Sequence, residues 1–515
     1  MSTAAEFPFR RIPDLIREHA RARPAQAALV QSPTTLSYAA LDALMDRIAA
    51  SLQRDGLRAG DVIAICAHAT PIYAAVFLGA LRAGVTVAPL APSVTPESFG
   101  GMLGDAGARW LFIDAAAQGA LGATPHERCI ALDAAAPGTP FERWLLPEGA
   151  VPQPVAVPPE APFNIIYSSG TTGAPKGIVQ SHGMRWMHVA RGADYGYGPG
   201  GVTLLATPLY SNTTLVVFFP TLGFGGTVVL MAKFDATQYL ALAQALRMTH
   251  TMLVPVQYQR IMALPQFDAH DLSTTIAKFC TSAPFNAALK SDVVKRWPGA
   301  LIEFYGMTEG GGTCILRAHE HPTKLHTVGQ PATGHDIRLI DDDGIELAPE
   351  AVRAGATGEV VGHSPGMMTG YHGQPAKTRE AEWFAPDGKR VIRTGDVGRF
   401  DAEGFLTLMD RKKDMVISGG FNIYPSDLEA VLRDHPAVAD VAVVGVASEL
   451  WGETPVAFVV PRAGARADAS ALLQWLNARV GKTQRLASLH FIDELPRSAI
   501  GKVLKRELRE RYQGT

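Results

Sequence analysis

Residues 168–177 read SSGTTGAPKG and follow directly on an apolar run, FNIIY at 163–167. Gly170, Gly173 and Gly177 let a backbone come close to an anion, Ser168, Ser169, Thr171 and Thr172 bring hydroxyls, and Lys176 brings a mobile cation. A strand that runs into such a loop is phosphate-binding chemistry. The Walker pattern GxxxxGK[ST] needs Ser or Thr after its Lys, and here Gly177 stands in that place. The loop is therefore a phosphate cradle of another kind. A flexible surface turn is the competing reading of the loop taken alone.

The elements around it must hold it in place. The first 150 residues alternate helix-like and strand-like segments, which predicts parallel sheet with crossover helices. Leu36 to Asp55 has helical apolar spacing, 61–68 (DVIAICAH) reads as a buried strand, and Pro71 to Ala83 as a helix. A Pro-rich connector, 151–162, leads into the strand before the loop. From about Asp336 shorter strands and turns predict a β-rich subdomain. Near Asp410 the charge density rises in DRKKD. Beyond it come a helix at 426–435 with Ser426 as N-cap, strands at 438–447 and 455–462, and a helix over ASALLQWLNARV. The fold class is α/β, with a large body of mixed layers over 1–409 and a small α+β domain over 410–515.

Composition narrows the partners. The 515 residues carry 47 basic and 49 acidic side chains, which argues against nucleic acid or an anionic membrane and for a small-molecule substrate. Cys66, Cys129, Cys280 and Cys314 lie far apart without a CxxC or Cys/His pattern, so a reduced, cytoplasmic setting without structural zinc is expected. The start, Met1 to Arg11, is no secretory signal. Tyr195 to Ala232 holds no charge, but Pro199, Pro208, Pro220 and GFGG at 223–226 deny it a helix of the ~20 residues a span requires.

With these features in view, YSSGTTGAPKG resembles the signature loop of the adenylate-forming superfamily, which comprises acyl- and aryl-CoA synthetases, luciferases and adenylation domains of peptide synthetases. Four further stretches match in the family's order: YGMTEGG at 305–311, RTGDVGRFDAEGFL at 393–406, DRKKDMVISGGFNIYPSDLE at 410–429 and PRSAIGKVLKREL at 496–508. The resemblance spans nearly the whole chain. It implies that ATP and a carboxylic acid give an acyl-adenylate and pyrophosphate, and that a thiol then displaces AMP.

The resemblance also implies roles. Ser168 to Gly173 and Lys176 clasp phosphates, and Tyr305, Gly306 and Met307 lie beside the adenine. Thr308 bonds the α-phosphate and Glu309 ligates Mg²⁺, a hard cation that prefers oxygen. Asp396 and Arg411 hold the ribose, Lys413 is the hinge of a mobile C-terminal domain, and Lys502 assists the first half-reaction. Ser418, Gly419 and Gly420 line the passage of CoA, where the absent glycine side chains leave room for a narrow thiol arm. Lys412 and Lys505 read as surface residues. Without the resemblance each short motif has a plainer reading: a helix start at Thr308, a turn at Asp396, a solvated charge run at 410–414.

Departures from the family narrow the acid. Amino-acid-activating members carry an Asp in the segment matching TPLYSNTT at 207–214, and this chain has none, which disfavours a zwitterion. No carrier-domain sequence follows Lys502, so CoA is the expected acceptor. The chain is similar to bacterial aryl- and medium-chain acyl-CoA ligases. The gate residue of many such enzymes is replaced by Ser211, and Ile417 and Gly419 stand where plant coumarate ligases place lysines near CoA. Tyr210, Asn212, Phe218, Ser282, Ala283, Pro284, Met307 and Gly311 are the candidate pocket, with core packing the competing role for about half. Apolar walls with few polar groups favour a benzoate or phenylpropenoate over a medium-chain fatty acid. A stand-alone enzyme loading a carrier protein is a further alternative, and a non-catalytic nucleotide binder is a third. A monomer or homodimer without a membrane span is expected.

Overall fold

The computed structural model describes residues 8–122, 128–168, 176–418, 421–465, 468–498 and 501–513. The chain forms two compact units, one of residues 1–325, 331–336 and 363–392, the other of 326–330, 337–362 and 393–515.

In the first unit, a sheet runs from Lys176–Ser181 through Pro162–Ser168, Thr86–Leu90 and Val62–Cys66 to Trp110–Ile113. The inner pairs are parallel, and the hairpin that brackets the phosphate loop is antiparallel. All five residues of Val62–Cys66 are buried, as a strand covered on both faces requires. A second sheet runs from Thr313–Arg317 through Ala300–Gly306, Ala277–Cys280, His250–Leu253 and Val202–Leu205 to Thr227–Leu230 and Ala27–Gln31.

Helices supply the layer between. The helix Tyr38–Arg54 starts where Ser37 Oγ accepts from the Ala40 amide at 3.2 Å, and it buries Leu41, Met45, Ile48 and Leu52 at alternate spacings of four and three. Leu36 and Ser37, assigned to this helix from sequence, end the strand Thr34–Ser37 instead. The helix Pro71–Arg82 is buried on almost every side, and a Cβ at Gly79 would stand 2.7 Å from Ile48 Cβ. Glycine there lets the two helices touch. Both helices share one core with Phe163 of the first sheet and Phe279 of the second. The uncharged stretch 195–232 resolves into two strands and the helix Asn212–Gly223, and among the described residues no helix is long and apolar enough to cross a membrane.

In the second unit, Leu406–Arg411 pairs antiparallel with the later part of Arg390–Phe400. A further sheet joins Val416–Ser418, Gly452–Pro461, Val438–Ser448 and Ser488–Phe491, with helices Pro425–Arg433 and Ala469–Asn477 packed on one core. Ser426 does not cap its helix. That helix begins at Pro425, which has no amide hydrogen, and the orphan Ser426 amide donates to Asp410 Oδ2 at 2.9 Å. A carboxylate sixteen residues upstream takes the part of the N-cap. The two lysines read as surface residues are also paired. Lys412 Nζ lies 2.9 Å from Asp342 and 3.6 Å from Glu359, and Lys505 Nζ lies 3.1 Å from Glu429 with Asp410 and Asp414 adding to the local field.

Candidate nucleotide and acid site

Residues 169–175 of the phosphate loop lie outside the described residues, but its two stems are described. Ser168 pairs with Lys176 and Tyr167 with Gly177. A Cβ at Gly177 would stand 2.8 Å from Ile165 Cγ2, so this glycine answers to packing of the hairpin itself. Lys176 Nζ stands 5.2 Å from the centre of the Tyr371 ring, a cation over a π face. The Tyr371 hydroxyl in turn donates to Glu309 Oε1 at 2.9 Å. Burial, followed by the Glu309 carboxylate, raises the Tyr371 phenol above its ordinary range, so it remains a donor at neutral pH. Tyr371 thereby joins Lys176 of the loop to Glu309, the candidate metal ligand.

The turn at 307–312 is set by neighbours from distant parts of the chain. Met368 N donates to Glu309 O at 2.8 Å and Ser364 Oγ to Gly310 O at 2.6 Å. Gly310 has φ +74°, and a Cβ there would stand 2.2 Å from Gly366 O, so only glycine closes this turn. Gln180 Nε2 donates to Thr308 O at 2.7 Å and reaches Asn212 Oδ1 at 3.5 Å. Gln180 is itself held from behind. Its Oε1 accepts from Asn164 at 3.1 Å and from the Arg185 guanidinium, which also donates to Asn164 Oδ1 at 3.0 Å. None of Tyr371, Gln180, Asn164 and Arg185 was singled out from sequence. A signal existed for two of them: Asn164 stands among Phe163, Ile165 and Ile166, and Gln180 follows the buried pair Ile178 and Val179.

The other candidates fall in different places. Ser282 has φ +82°, a strained backbone for a residue other than glycine, and its hydroxyl meets Thr213 Oγ1 at 2.5 Å. Ala283 is half-buried and Pro284 exposed beside it. Ser211 caps the helix Asn212–Gly223, accepting from the Thr213 amide at 3.3 Å, and this places Asn212 at the first turn, facing Gln180. Tyr305 and Gly306 end the strand Ala300–Gly306, paired with Cys314 and Thr313. Met307 packs with Tyr371 and Ile392, and a Cβ at Gly311 would stand 2.6 Å from Ile392 Cβ. Tyr210 is half-buried near Cys66, with its hydroxyl bonded to Ser93. Phe218 is 1% exposed and packs edge-on against Phe219, in the core rather than with Asn212 and Ser282.

One helical turn below Asn212 lies a cavity of about 20 Å³. Tyr195, Tyr197, Phe279 and Phe304 form its aromatic wall, and Val216, Val217 and Pro220 from the helix and His188 complete the lining with Gly192. Val216 and Pro220 follow Asn212 at intervals of four residues, so they lie on the same helix face about 6 and 12 Å further along. The wall is rigid: Phe279 stacks on Phe304 at 5.6 Å and Tyr197 on His250 at 4.2 Å, while His250 Nε2 is tied to Tyr195 O at 2.9 Å.

In the second unit, Asp396 faces Arg411 across two antiparallel strands, with Arg411 Nε 3.1 Å from Asp396 Oδ1. The guanidinium fixes the carboxylate's direction. Lys413 follows in a turn anchored by Lys412 N on Gly395 O at 2.8 Å, and its ammonium pKa is lowered by burial and then by Arg411. Ser418 ends the strand Val416–Ser418, and Gly419 and Gly420 lie outside the described residues. Lys502 is exposed on a tight turn, its amide donating to Ser498 Oγ at 3.2 Å and its carbonyl accepting from Ser498 N at 2.8 Å.

The family model described as AMP-binding enzyme matches residues 16–372, and that of the AMP-binding enzyme C-terminal domain matches 427–502. The chain belongs to the AMP-binding enzymes. Within this family it is an adenylate-forming ligase of the acyl- and aryl-CoA type. It is 34% identical over 507 residues to a feruloyl-CoA synthase of Amycolatopsis sp, covering 96% of this chain and 97% of that one. It is also 34% identical over 514 residues to an indoleacetate–CoA ligase of Aromatoleum aromaticum, with coverages of 96% and 97%. Among solved structures, the ATP-bound MatB of Rhodopseudomonas palustris aligns with TM-score 0.86 and 28% identity over 97% of this AMP-binding enzyme and 99% of that chain.

Proposed function

We propose that this AMP-binding enzyme joins an aromatic carboxylic acid to CoA at the expense of ATP. The carboxylate attacks the α-phosphorus and pyrophosphate leaves; the CoA thiol then attacks the acyl carbonyl and AMP leaves. The observation that carries the reading is the uncharged aromatic cavity one helical turn below the Asn212–Gln180–Thr308 hydrogen bonds. The cavity has room for a ring substituent only, so the ring of the acid would lie above it along Asn212 and Val216, and the absence of an acid along 195–232 leaves a substrate ammonium without a partner. The names of the two CoA-ligase relatives, feruloyl and indoleacetate, support an aromatic acid.

The residues take these roles. Ser168 to Gly173 and Lys176 hold the β- and γ-phosphates, Thr308 bonds the α-phosphate, and Asp396 accepts the ribose hydroxyls in the direction that Arg411 imposes. Lys502 stabilises charge that grows on the α-phosphate during attack. Rotation about Lys413 would then bring Ser418, Gly419 and Gly420 to the CoA arm. Glu309 is the candidate ligand for Mg²⁺. Among the described residues no three His, Cys, Asp or Glu gather into a cage. A single carboxylate with waters and phosphate oxygens fits an ion that keeps much of its hydration, and when bound it would neutralise phosphate charge. The four cysteines are free, in keeping with a reducing, cytoplasmic setting.

The test is a panel of benzoates, cinnamates and C6 to C10 fatty acids with ATP and CoA, read as AMP release. The expected result is highest kcat/KM on the aromatic acids. Turnover of only the fatty acids would overturn the aromatic reading, and adenylate formation that ignores CoA would overturn the acceptor.

A further inference from the structure

Besides the tyrosines Tyr195 and Tyr197, the cavity below Asn212 is lined by an imidazole that the two half-reactions do not use. His188 sits near the end of the helix His182–Ala190 and lines the cavity together with the aromatic residues. Its Nδ1 is buried and makes no hydrogen bond among the described residues. A buried ring nitrogen without a partner is costly, and such exceptions in a ligand cavity point to a partner that arrives with the ligand. The volume limits what that partner can be. About 20 Å³ holds a single water-sized group, so it admits an oxygen substituent and excludes a ring. The ring itself must lie above it, along Asn212 and Val216.

We infer that His188 is a specificity residue that hydrogen-bonds a hydroxyl on the ring edge farthest from the carboxylate, so that the preferred acids are phenolic. The inference rests on the aromatic-acid reading. Charge at the site agrees with it. Burial, then Arg185, Arg191 and His335, hold the His188 imidazole well below its ordinary pKa, so the ring is neutral at pH 7 and offers one donor and one acceptor nitrogen. Among the described residues no carboxylate lines the cavity. The nearby cations favour an oxygen with lone pairs over an ammonium. A hydroxyl can give a hydrogen bond to a neutral imidazole nitrogen or take one from it, whichever tautomer is present.

The experiment compares acids that differ by one ring hydroxyl, cinnamate with 4-hydroxycinnamate and benzoate with 3- and 4-hydroxybenzoate, by AMP release. In the native enzyme at least one hydroxy acid should exceed its parent about ten-fold in kcat/KM, the worth of one buried hydrogen bond. His188→Leu should bring that ratio close to one, while His188→Gln, which keeps a donor and an acceptor, should retain most of it. Each ratio is internal to one variant, so loss of overall activity leaves it readable, and thermal unfolding checks that each variant folds. If His188→Leu does not fold, the ratio in His188→Gln against His188→Asn, whose shorter amide withdraws from the cavity, carries the test. A hydroxyl preference that survives in His188→Leu, or its absence in the native enzyme, overturns the role of His188. Activity on none of the aromatic acids overturns the function on which it rests.

Discussion

Arg185→Met separates what this side chain does for the fold from what it does for the site. The guanidinium is fully buried between the rings of Phe163 and Phe219, at 5.9 and 5.8 Å, and meets no carboxylate among the described residues. Burial pushes its pKa from the ordinary guanidinium range down to about 9, and at 1.36 kcal/mol per pH unit the charged form costs the fold about 5 kcal/mol at neutral pH. Methionine of similar reach removes that cost. Against this, Asn164 Oδ1 loses its donor, worth about 1–3 kcal/mol, and two cation–ring contacts disappear, worth about 1 kcal/mol each. The variant should therefore unfold within about 2 kcal/mol of the native enzyme, or be more stable. Its chemistry should suffer. Gln180 loses one of the two groups that aim its amide at Thr308 O, 2.7 Å away, and displacement of a positioning group costs adenylation about ten-fold or more. Urea unfolding and acid-dependent ATP–pyrophosphate exchange read the two effects apart. Destabilisation beyond about 4 kcal/mol would show that the buried charge is net favourable. An unchanged exchange rate would show that Gln180 holds Thr308 without it.

Lys502→Ala should abolish acid-dependent pyrophosphate exchange and largely spare thioester formation from a supplied acyl-adenylate; equal loss of both in a folded variant would refute the division of labour. His182 is 3% exposed, and burial, then Arg11, lowers its imidazole pKa to about 3. The folded state thus refuses a proton that the unfolded chain accepts below about pH 6.5, so stability is complete above that pH and declines as pH falls towards 3. Between pH 6.5 and 5 the loss is about 2 kcal/mol, and His182→Asn should flatten this part of the urea-midpoint profile.

Much of the order of events along the chain was legible beforehand. Apolar periodicity placed the strand before the phosphate loop and the helices expected over Leu36–Asp55 and Pro71–Ala83, the first of them starting two residues early because Leu36 and Ser37 end a strand. Ser426 misled because its neighbour Pro425 already opens the helix, and the amide that needed capping found Asp410 across space. Lys412 and Lys505 misled because charge runs are solvated by default, and only the folded chain brings Glu359 and Glu429 to them. Phe218, one residue from Val217 in sequence, points to the core because successive positions on a helix differ by about 100°.

The sequence by itself determined the chemistry that is local: a glycine-rich loop beside a Lys, a Thr–Glu pair, an Asp in a turn, and the family to which their order belongs. Residue type and spacing within a few positions decide such groups, whatever the rest of the chain does. Only the tertiary structure decided how Glu309 meets Tyr371, how Arg185 and Gln180 reach Thr308, and how His188 comes to face Phe279 and Phe304. These partners lie tens to more than a hundred residues apart, and no periodicity encodes a meeting made by packing two sheets around shared helices. The acid an enzyme of this family selects is read by contacts of that second kind.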